Sequence, residues 1–351
     1  MSKKVLILTG SYGSWHNTAA ESLQSAYSSN WYITTVVDLA EYYKKTIWKT
    51  TKKFYEVSSS EFPKVWEFTY DLMDSIKIKD LFYSFSYPYF QNKFNKLIER
   101  ENPQVIIIVF PFWSLFLRNY LLQYPKTFST GIFITDAIKI QAVWHMWEEG
   151  IDYYFFIDDA SKEIFRQRFT HTKANLKTVF FPLSSEYFIE RSKINSKHIL
   201  IILSSLKKDF VDNFLSILKD SSKTLTIVQW RNPQLYKKMY QKYSHISQFH
   251  FFEYLSLKDY YKEVDICVSK PGWATISECI ASEIPLLIPD FIPGQEEGNK
   301  ILIEKNEIWI YEANPLKAVF LLNYIDWSKM LPNFKKIKNP HACEDIIKYL
   351  S

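Results

Sequence analysis

The chain has 351 residues, a formal net charge of +5, 47% hydrophobic residues and 23% charged residues. That balance excludes an intrinsically disordered chain, and with so slight a charge and no binding motif it argues against a nucleic-acid partner; the length leaves room for two domains with separate cores. Three cysteines, Cys267, Cys279 and Cys343, show no CxxC spacing, which speaks against a disulfide framework or a zinc site and fits a reduced, cytoplasmic compartment.

Val5 to Leu8 reads as a buried first strand, its apolar run too short for a signal peptide. A polar loop from Thr9 to His16 leads into a helix with Ala19, Ala20, Leu23 and Ala26 on one face, and Ile33 to Val37 completes a βαβ unit. From Tyr42 to Arg100 the spacing predicts long helices with aromatics all round, among them Trp48, Phe54, Phe62, Trp66, Phe82 and Phe90. Singly these residues fit a core; interleaved with Lys44, Lys45, Lys49, Lys52 and Lys53 they predict a surface that meets lipid at an anionic leaflet. Lys335, Lys336 and Lys338 form a second basic group.

Val105 to Val109, Gly131 to Thr135 and Tyr153 to Ile157 are further strands. The longest apolar run, Val105 to Leu117, spans 13 residues and contains Pro111; a spanning helix needs about 20, so no transmembrane segment is expected. The text from Phe180 to Tyr187, followed by ERSKINSK, reads as a linker, and a second series follows it: strands at Ile199, Thr224, Phe249 and Ile266 alternate with helices. This alternation predicts an α/β architecture of two doubly wound parallel sheets with a cleft between them. The expected domains are 1–185, 186–335 and a C-terminal helix over 336–351.

The stretch from Asp265 to Asn299 carries the most chemistry. Ile266 and Val268 form a strand, Pro271-Gly272 breaks the run, a short helix starts near Ala274, and Leu286 to Ile288 is the next strand. A helix joining two parallel strands points its free N–H groups at the carboxyl edge of the sheet, where a diphosphate can sit.

Three texts in order, LILTGSYGSWHNTAAESL, ITDAIKIQAVWHMW and VSKPGWATISECI with IPGQEEGN, resemble glycosyltransferase family 28. They look like the monogalactosyldiacylglycerol synthase and processive diacylglycerol glucosyltransferase group, relatives of MurG. The resemblance implies a GT-B fold, an N-terminal acceptor domain, a C-terminal UDP-sugar domain and an inverting reaction without metal or cofactor. It further implies a peripheral enzyme on the inner face of the cell membrane that moves a hexose to a lipid hydroxyl such as that of diacylglycerol. A MurG-like N-acetylglucosaminyltransferase and a catalytically impaired UDP-sugar or lipid-binding protein are the alternatives; the oligomeric state stays open.

On this resemblance His16 is the candidate base, and Asp136 either orients a base, acts as one, or caps a helix. Gly272 permits a tight turn and close backbone approach, and Ala274 opens the diphosphate helix. Thr275 adds a hydroxyl or caps that helix, and Glu278, one turn further on, accepts the ribose hydroxyls. Gln295, Glu296 and Asn299 read the hexose hydroxyls from a turn shaped by Pro293-Gly294, while Tyr254 and Leu255 lie against uracil. Gly13, Trp15 and Trp144 belong to the acceptor loops. The chain departs from the family at three places: Ser14-Trp15 replaces small residues before the histidine, Gln141 stands where a histidine is usual, and ILSSLKKD replaces a glycine-rich loop after the first strand of the second domain.

Overall fold

The computed structural model describes residues 3–11, 14–39, 42, 90–204, 206–230, 232–292 and 296–351. The chain divides into two compact units, one of Met1–Ser184, Pro293–Gly298 and Asn339–Ser351, the other of Ser185–Ile292 and Asn299–Lys338.

In the first unit, β1 (Lys4–Thr9), β2 (Ile33–Asp38), β3 (Val105–Ile108), β4 (Ser129–Phe133), β5 (Tyr153–Phe156) and β6 (Asn175–Thr178) form one sheet ordered β2-β1-β3-β4-β5-β6. All neighbours are parallel, with Leu6 paired to Ile106 and Ile106 to Thr130. Unbroken apolar runs are what a sheet covered on both faces demands, and Val105 to Ile108 are accordingly all buried. Each such isoleucine contributes about 2–3 kcal/mol of apolar burial. Helices α1 (Ser14–Ser29), α2 (Trp113–Leu121) and α3 (Asp159–Arg168) cover the sheet, and the Asp158 carboxylate caps α3 by accepting from Ser161 N–H. Residues 90–101 are helical and turn Phe94, Leu97 and Ile98 into the core.

The second unit repeats the plan. Strands β7 (His198–Ile202), β8 (Thr224–Val228), β9 (Phe249–Phe252), β10 (Ile266–Val268), β11 (Leu286–Ile288) and β12 (Trp309–Tyr311) lie in the order β12-β11-β10-β7-β8-β9, again all parallel. Its helices are α4 (Lys208–Leu218), α5 (Pro233–Tyr243), α6 (Leu257–Tyr260), α7 (Trp273–Ala281), α8 (Glu297–Lys305), which enters from the first unit, α9 (Pro315–Tyr324) and α10 (Leu331–Ile337). Asn232 and Asn314, each followed by proline, cap α5 and α9 with their side chains. The C-terminal helix α11 (Ala342–Leu350) belongs to the first unit, where Leu350 lies over β4: a Cβ at Gly131 would stand 3.0 Å from it and 2.7 Å from Phe155.

Two sequence expectations need correction. Arg191, within the ERSKINSK text of the expected linker, belongs to the second unit and is fastened there through the Ser282 and Tyr261 carbonyls. Lys338 is no member of a surface lysine group: its ammonium, 11% exposed, meets the fully buried Glu283 carboxylate at 2.6 Å. The aromatic and lysine positions from 43 to 89 lie outside the described residues, as do Gly13, Gly294, Gln295 and Ser205. Among the described residues no helix is long and apolar enough to cross a membrane.

Candidate active site

Each sheet reverses its strand order once, and ligands of doubly wound sheets bind outside the carboxyl ends of the strands at that reversal. In the first unit the reversal falls between β1 and β3. The chain leaving β1 enters α1, whose first turn holds His16, and the residue after β3 is Val109. His16 and Val109 meet there: the imidazole Nδ1 lies at hydrogen-bond distance from the Val109 carbonyl oxygen. A carbonyl only accepts, so Nδ1 carries the proton and the lone pair sits on Nε2. Trp15 Nε1 donates to that Nε2 at 3.0 Å. The ring is 5% exposed, and burial holds its pKa down at about 3. The imidazole is therefore neutral at physiological pH, in the tautomer a general base at Nε2 requires.

Asp136 follows β4 on the same edge. Its carboxylate accepts from Trp144 Nε1 at 2.6 Å, and the Trp144 ring lies 6.3 Å from the His16 ring. The helix-cap reading of Asp136 does not hold, since the next helical turn is Ala142–Trp144 and Gln141 precedes it. Gly298 packs close by in this unit: a Cβ there would fall 2.1 Å from the Ala137 carbonyl oxygen, which accounts for glycine at that position. Lys139 and Glu297 form an ion pair beside it.

In the second unit the reversal lies between β7 and β10. The chain leaving β10 passes Pro271 and Gly272 into α7, so the free N–H groups of α7 face the carboxyl edge. Gly272 is the N-cap, and its N–H donates to the Lys270 carbonyl at 2.9 Å to close a tight turn; its φ −73°, ψ 140° is a conformation open to any residue, so the turn itself does not require glycine. Thr275 stands inside the helix rather than at its cap and is partly exposed; Ala274 is buried. Asn299 Nδ2 donates to the Pro271 carbonyl at 2.9 Å, tying Asn299 of α8 to the PG turn within the second unit. Glu296 is 4% exposed.

Glu278, one turn beyond Thr275, is buried in the second unit. It is 8% exposed, accepts from Tyr261 Oη at 2.7 Å and is also bonded by the Tyr187 hydroxyl; burial raises its pKa to about 7 against those two bonds. Neither tyrosine was legible as a partner, because both come from other elements with no fixed spacing to Glu278. Tyr254, 83% exposed, and Leu255 follow β9 at the carboxyl edge of the sheet.

The loop after β7 keeps a glycine-like backbone without glycine. Ser204 adopts φ +30°, in the left-handed region. Lys207 Nζ lies 3.0 Å from Asp290, and a cavity of about 530 Å³ opens between Lys207, Lys208, Asn213, Pro289 and Asp290. Among the described residues no group of three or more His, Cys, Asp or Glu side chains is placed to hold a metal ion.

The family model for monogalactosyldiacylglycerol (MGDG) synthase matches residues 16–178, and that for the glycosyltransferase family 28 C-terminal domain matches residues 200–327. A processive diacylglycerol beta-glucosyltransferase of Bacillus pumilus is 25% identical over 317 residues, covering 86% of this chain and 81% of that protein. Its Bacillus subtilis counterpart is 22% identical over the same shares. Among solved structures, MurG of Acinetobacter baumannii superposes with a TM-score of 0.60 at 9% identity over 99% of both chains. The glycotransferase of kitacinnamycin gives 0.64 at 8% over the full length of both. Two parallel six-stranded sheets on this plan are the GT-B fold, and the chain belongs to glycosyltransferase family 28.

Proposed function

We propose that the protein transfers a hexose from a UDP-sugar to the hydroxyl of a lipid acceptor of the diacylglycerol class, in one inverting displacement. The observation that carries this reading is His16. It is a neutral imidazole with its proton fixed on Nδ1 and its lone pair on Nε2, at the strand reversal of the unit that matches the MGDG synthase model. Two of the relatives it resembles are named for a diacylglycerol acceptor.

In the reaction, Nε2 takes the acceptor's hydroxyl proton while the oxygen bonds to the anomeric carbon of the sugar. The bond from that carbon to the diphosphate breaks, and its electron pair leaves with UDP. Negative charge then grows on the departing diphosphate, and the N–H groups opening α7 are donors pre-aimed at the carboxyl edge to meet it. This replaces metal and cofactor. Glu278, held by Tyr261 and Tyr187, accepts the ribose hydroxyls. Asn299 fixes the turn before α7, the GQEEGN segment reads the hexose, and Tyr254 with Leu255 receives uracil. The lipid is met from an anionic membrane surface, through the aromatic and basic residues between Tyr42 and Arg100, on the cytoplasmic face.

The purified protein incubated with radiolabelled UDP-glucose, UDP-galactose or UDP-N-acetylglucosamine and diacylglycerol vesicles tests this. A labelled glycolipid with one of the first two donors is expected. UDP binding without glycolipid from any donor sinks the enzymatic reading, and transfer of N-acetylglucosamine to a polyprenyl diphosphate acceptor instead would move the acceptor class to that of MurG.

A further inference from the structure

His16 is held from both sides, and the second hold has no place in the mechanism above. The base must receive a proton on Nε2, yet Nε2 already receives one hydrogen bond from Trp15 Nε1 at 3.0 Å. An indole N–H donates and never accepts, so this contact uses the lone pair the reaction needs. The enclosure continues around the ring: the Trp15 ring centre lies 5.4 Å from the imidazole, Phe110 meets it edge-on at 5.1 Å, and Trp144 lies at 6.3 Å. Tryptophan stands here where the resembling family carries a small residue.

We propose that Trp15 is a cap on the catalytic base that selects the lipid alcohol over water as the acceptor. This rests on the transfer reaction proposed above. Water is the competing nucleophile at about 55 M: its proton would pass to Nε2, its oxygen would bond to the anomeric carbon, and the sugar–diphosphate bond would break to release free hexose and UDP. With the indole in place, a single water reaching Nε2 exchanges one hydrogen bond for another and gains nothing. A lipid acceptor brings the binding energy of the rest of its molecule to the same exchange, and part of that energy moves the indole aside. Trp15 is thus a positioning residue acting through His16, and the quantity it sets is the partition between transfer and hydrolysis.

Two substitutions separate the hydrogen bond from the bulk. Trp15→Phe keeps an aromatic ring and loses the N–H; Trp15→Gly loses both. Glycolipid and free hexose are counted from the same radiolabelled UDP-sugar, with diacylglycerol vesicles present and absent. The expected result is a ratio of free hexose to glycolipid about tenfold above wild type in both variants, the loss of one hydrogen bond. The added hydrolysis should vanish when His16→Ala is combined with Trp15→Phe. A ratio within twofold of wild type overturns the cap, and so does extra hydrolysis that survives His16→Ala. Proportional loss of both products at a constant ratio overturns it too, since that is a structural role. A second readout needs no turnover: in the full-length protein labelled with 15N-histidine, the His16 Nε2 resonance should move towards that of an unbonded lone pair in Trp15→Phe while Nδ1 stays protonated. An unmoved resonance overturns the cap. Wild-type glycolipid formation in the same assay tests the functional reading by itself.

Discussion

Glu278 offers a prediction in which sign and size both follow from its surroundings. Burial raises its pKa to about 7, while the Tyr261 and Tyr187 hydroxyls favour the ionised form and lose to desolvation. A carboxylate can accept both hydroxyls of a ribose; the protonated acid has one acceptor fewer and a proton in the way. The ionised fraction is about 0.9 at pH 8 and about 0.1 at pH 6 for a pKa near 7. Donor affinity should therefore fall about tenfold from pH 8 to pH 6. Calorimetric titration with an intact UDP-sugar measures it; UDP alone would not serve, because its terminal phosphate titrates in the same window. Glu278→Gln should bind about tenfold or more weakly than wild type at pH 8 and show no such slope. Equal pH dependence in wild type and Glu278→Gln would refute the ribose assignment. The same shift makes a stability statement. With the folded pKa above the unfolded value of 4.5, the contribution is fully present below pH 4.5 and lost as pH rises through 7. Its size is about 3 kcal/mol, an upper bound set by complete burial. Hydrogen exchange across α7 should accordingly quicken between pH 5 and 8 in wild type more than in Glu278→Gln.

His16 runs the opposite way: its folded pKa of about 3 lies below the unfolded 6.5, so stability is present above pH 6.5 and falls with pH down to about 3. His16→Ala should abolish that acid sensitivity and cut transfer by about 10²-fold or more, with UDP affinity unchanged, as kinetics and calorimetry would show. Glu283→Ala leaves the Lys338 ammonium buried without its partner, and thermal unfolding should register a loss of about 3 kcal/mol, mostly recovered by adding Lys338→Met. Ser204→Gly relieves a left-handed backbone at φ +30° and should stabilise the second unit by about 1 kcal/mol in denaturant unfolding; an unchanged midpoint would show the torsion to be unstrained.

The sheets were legible because buried parallel strands are continuous apolar runs: Val105 to Ile108 and Ile199 to Ile202 declare themselves. β6, reading NLKT at the sheet edge, carries no such run and was missed, as were α9 and α10 beyond the last strand. In the site, the text located His16, Asp136 and Glu278 through motif position, and motif position says nothing about what each side chain touches. The Val109 carbonyl that fixes the His16 tautomer lies 93 residues away, and a backbone oxygen leaves no trace in side-chain identity. Tyr261 reaches Glu278 from the turn before β10, a contact made by the sheet and not by spacing. The oddity at Trp15 was visible as a departure from pattern; that its N–H lands on the base needed the geometry.

Burial acts on the two key ionisable groups in the same direction, towards the uncharged form, and the chemistry uses the results differently. For Glu278 a pKa near 7 leaves the carboxylate cheaply available at working pH. For His16 a pKa near 3 keeps Nε2 unprotonated, its lone pair held by the Trp15 N–H, but makes a weak base: protonating it at pH 7 costs about 5 kcal/mol. A base that weak cannot strip an alcohol in advance, so proton transfer has to accompany attack on the anomeric carbon, and the imidazolium has to be stabilised as it forms. The Val109 carbonyl on Nδ1 already favours the cation, though less than desolvation opposes it. Anionic charge brought beside the ring by bound substrate would add to it, raising the basicity of Nε2 in the occupied site only. It follows that the acid limb of kcat, which reports the occupied enzyme, should lie at higher pH than that of kcat/KM, which reports the free one. His16 limbs at the same pH in both profiles would mean that substrate does nothing for the base, and His16 would then be too weak to carry the step alone.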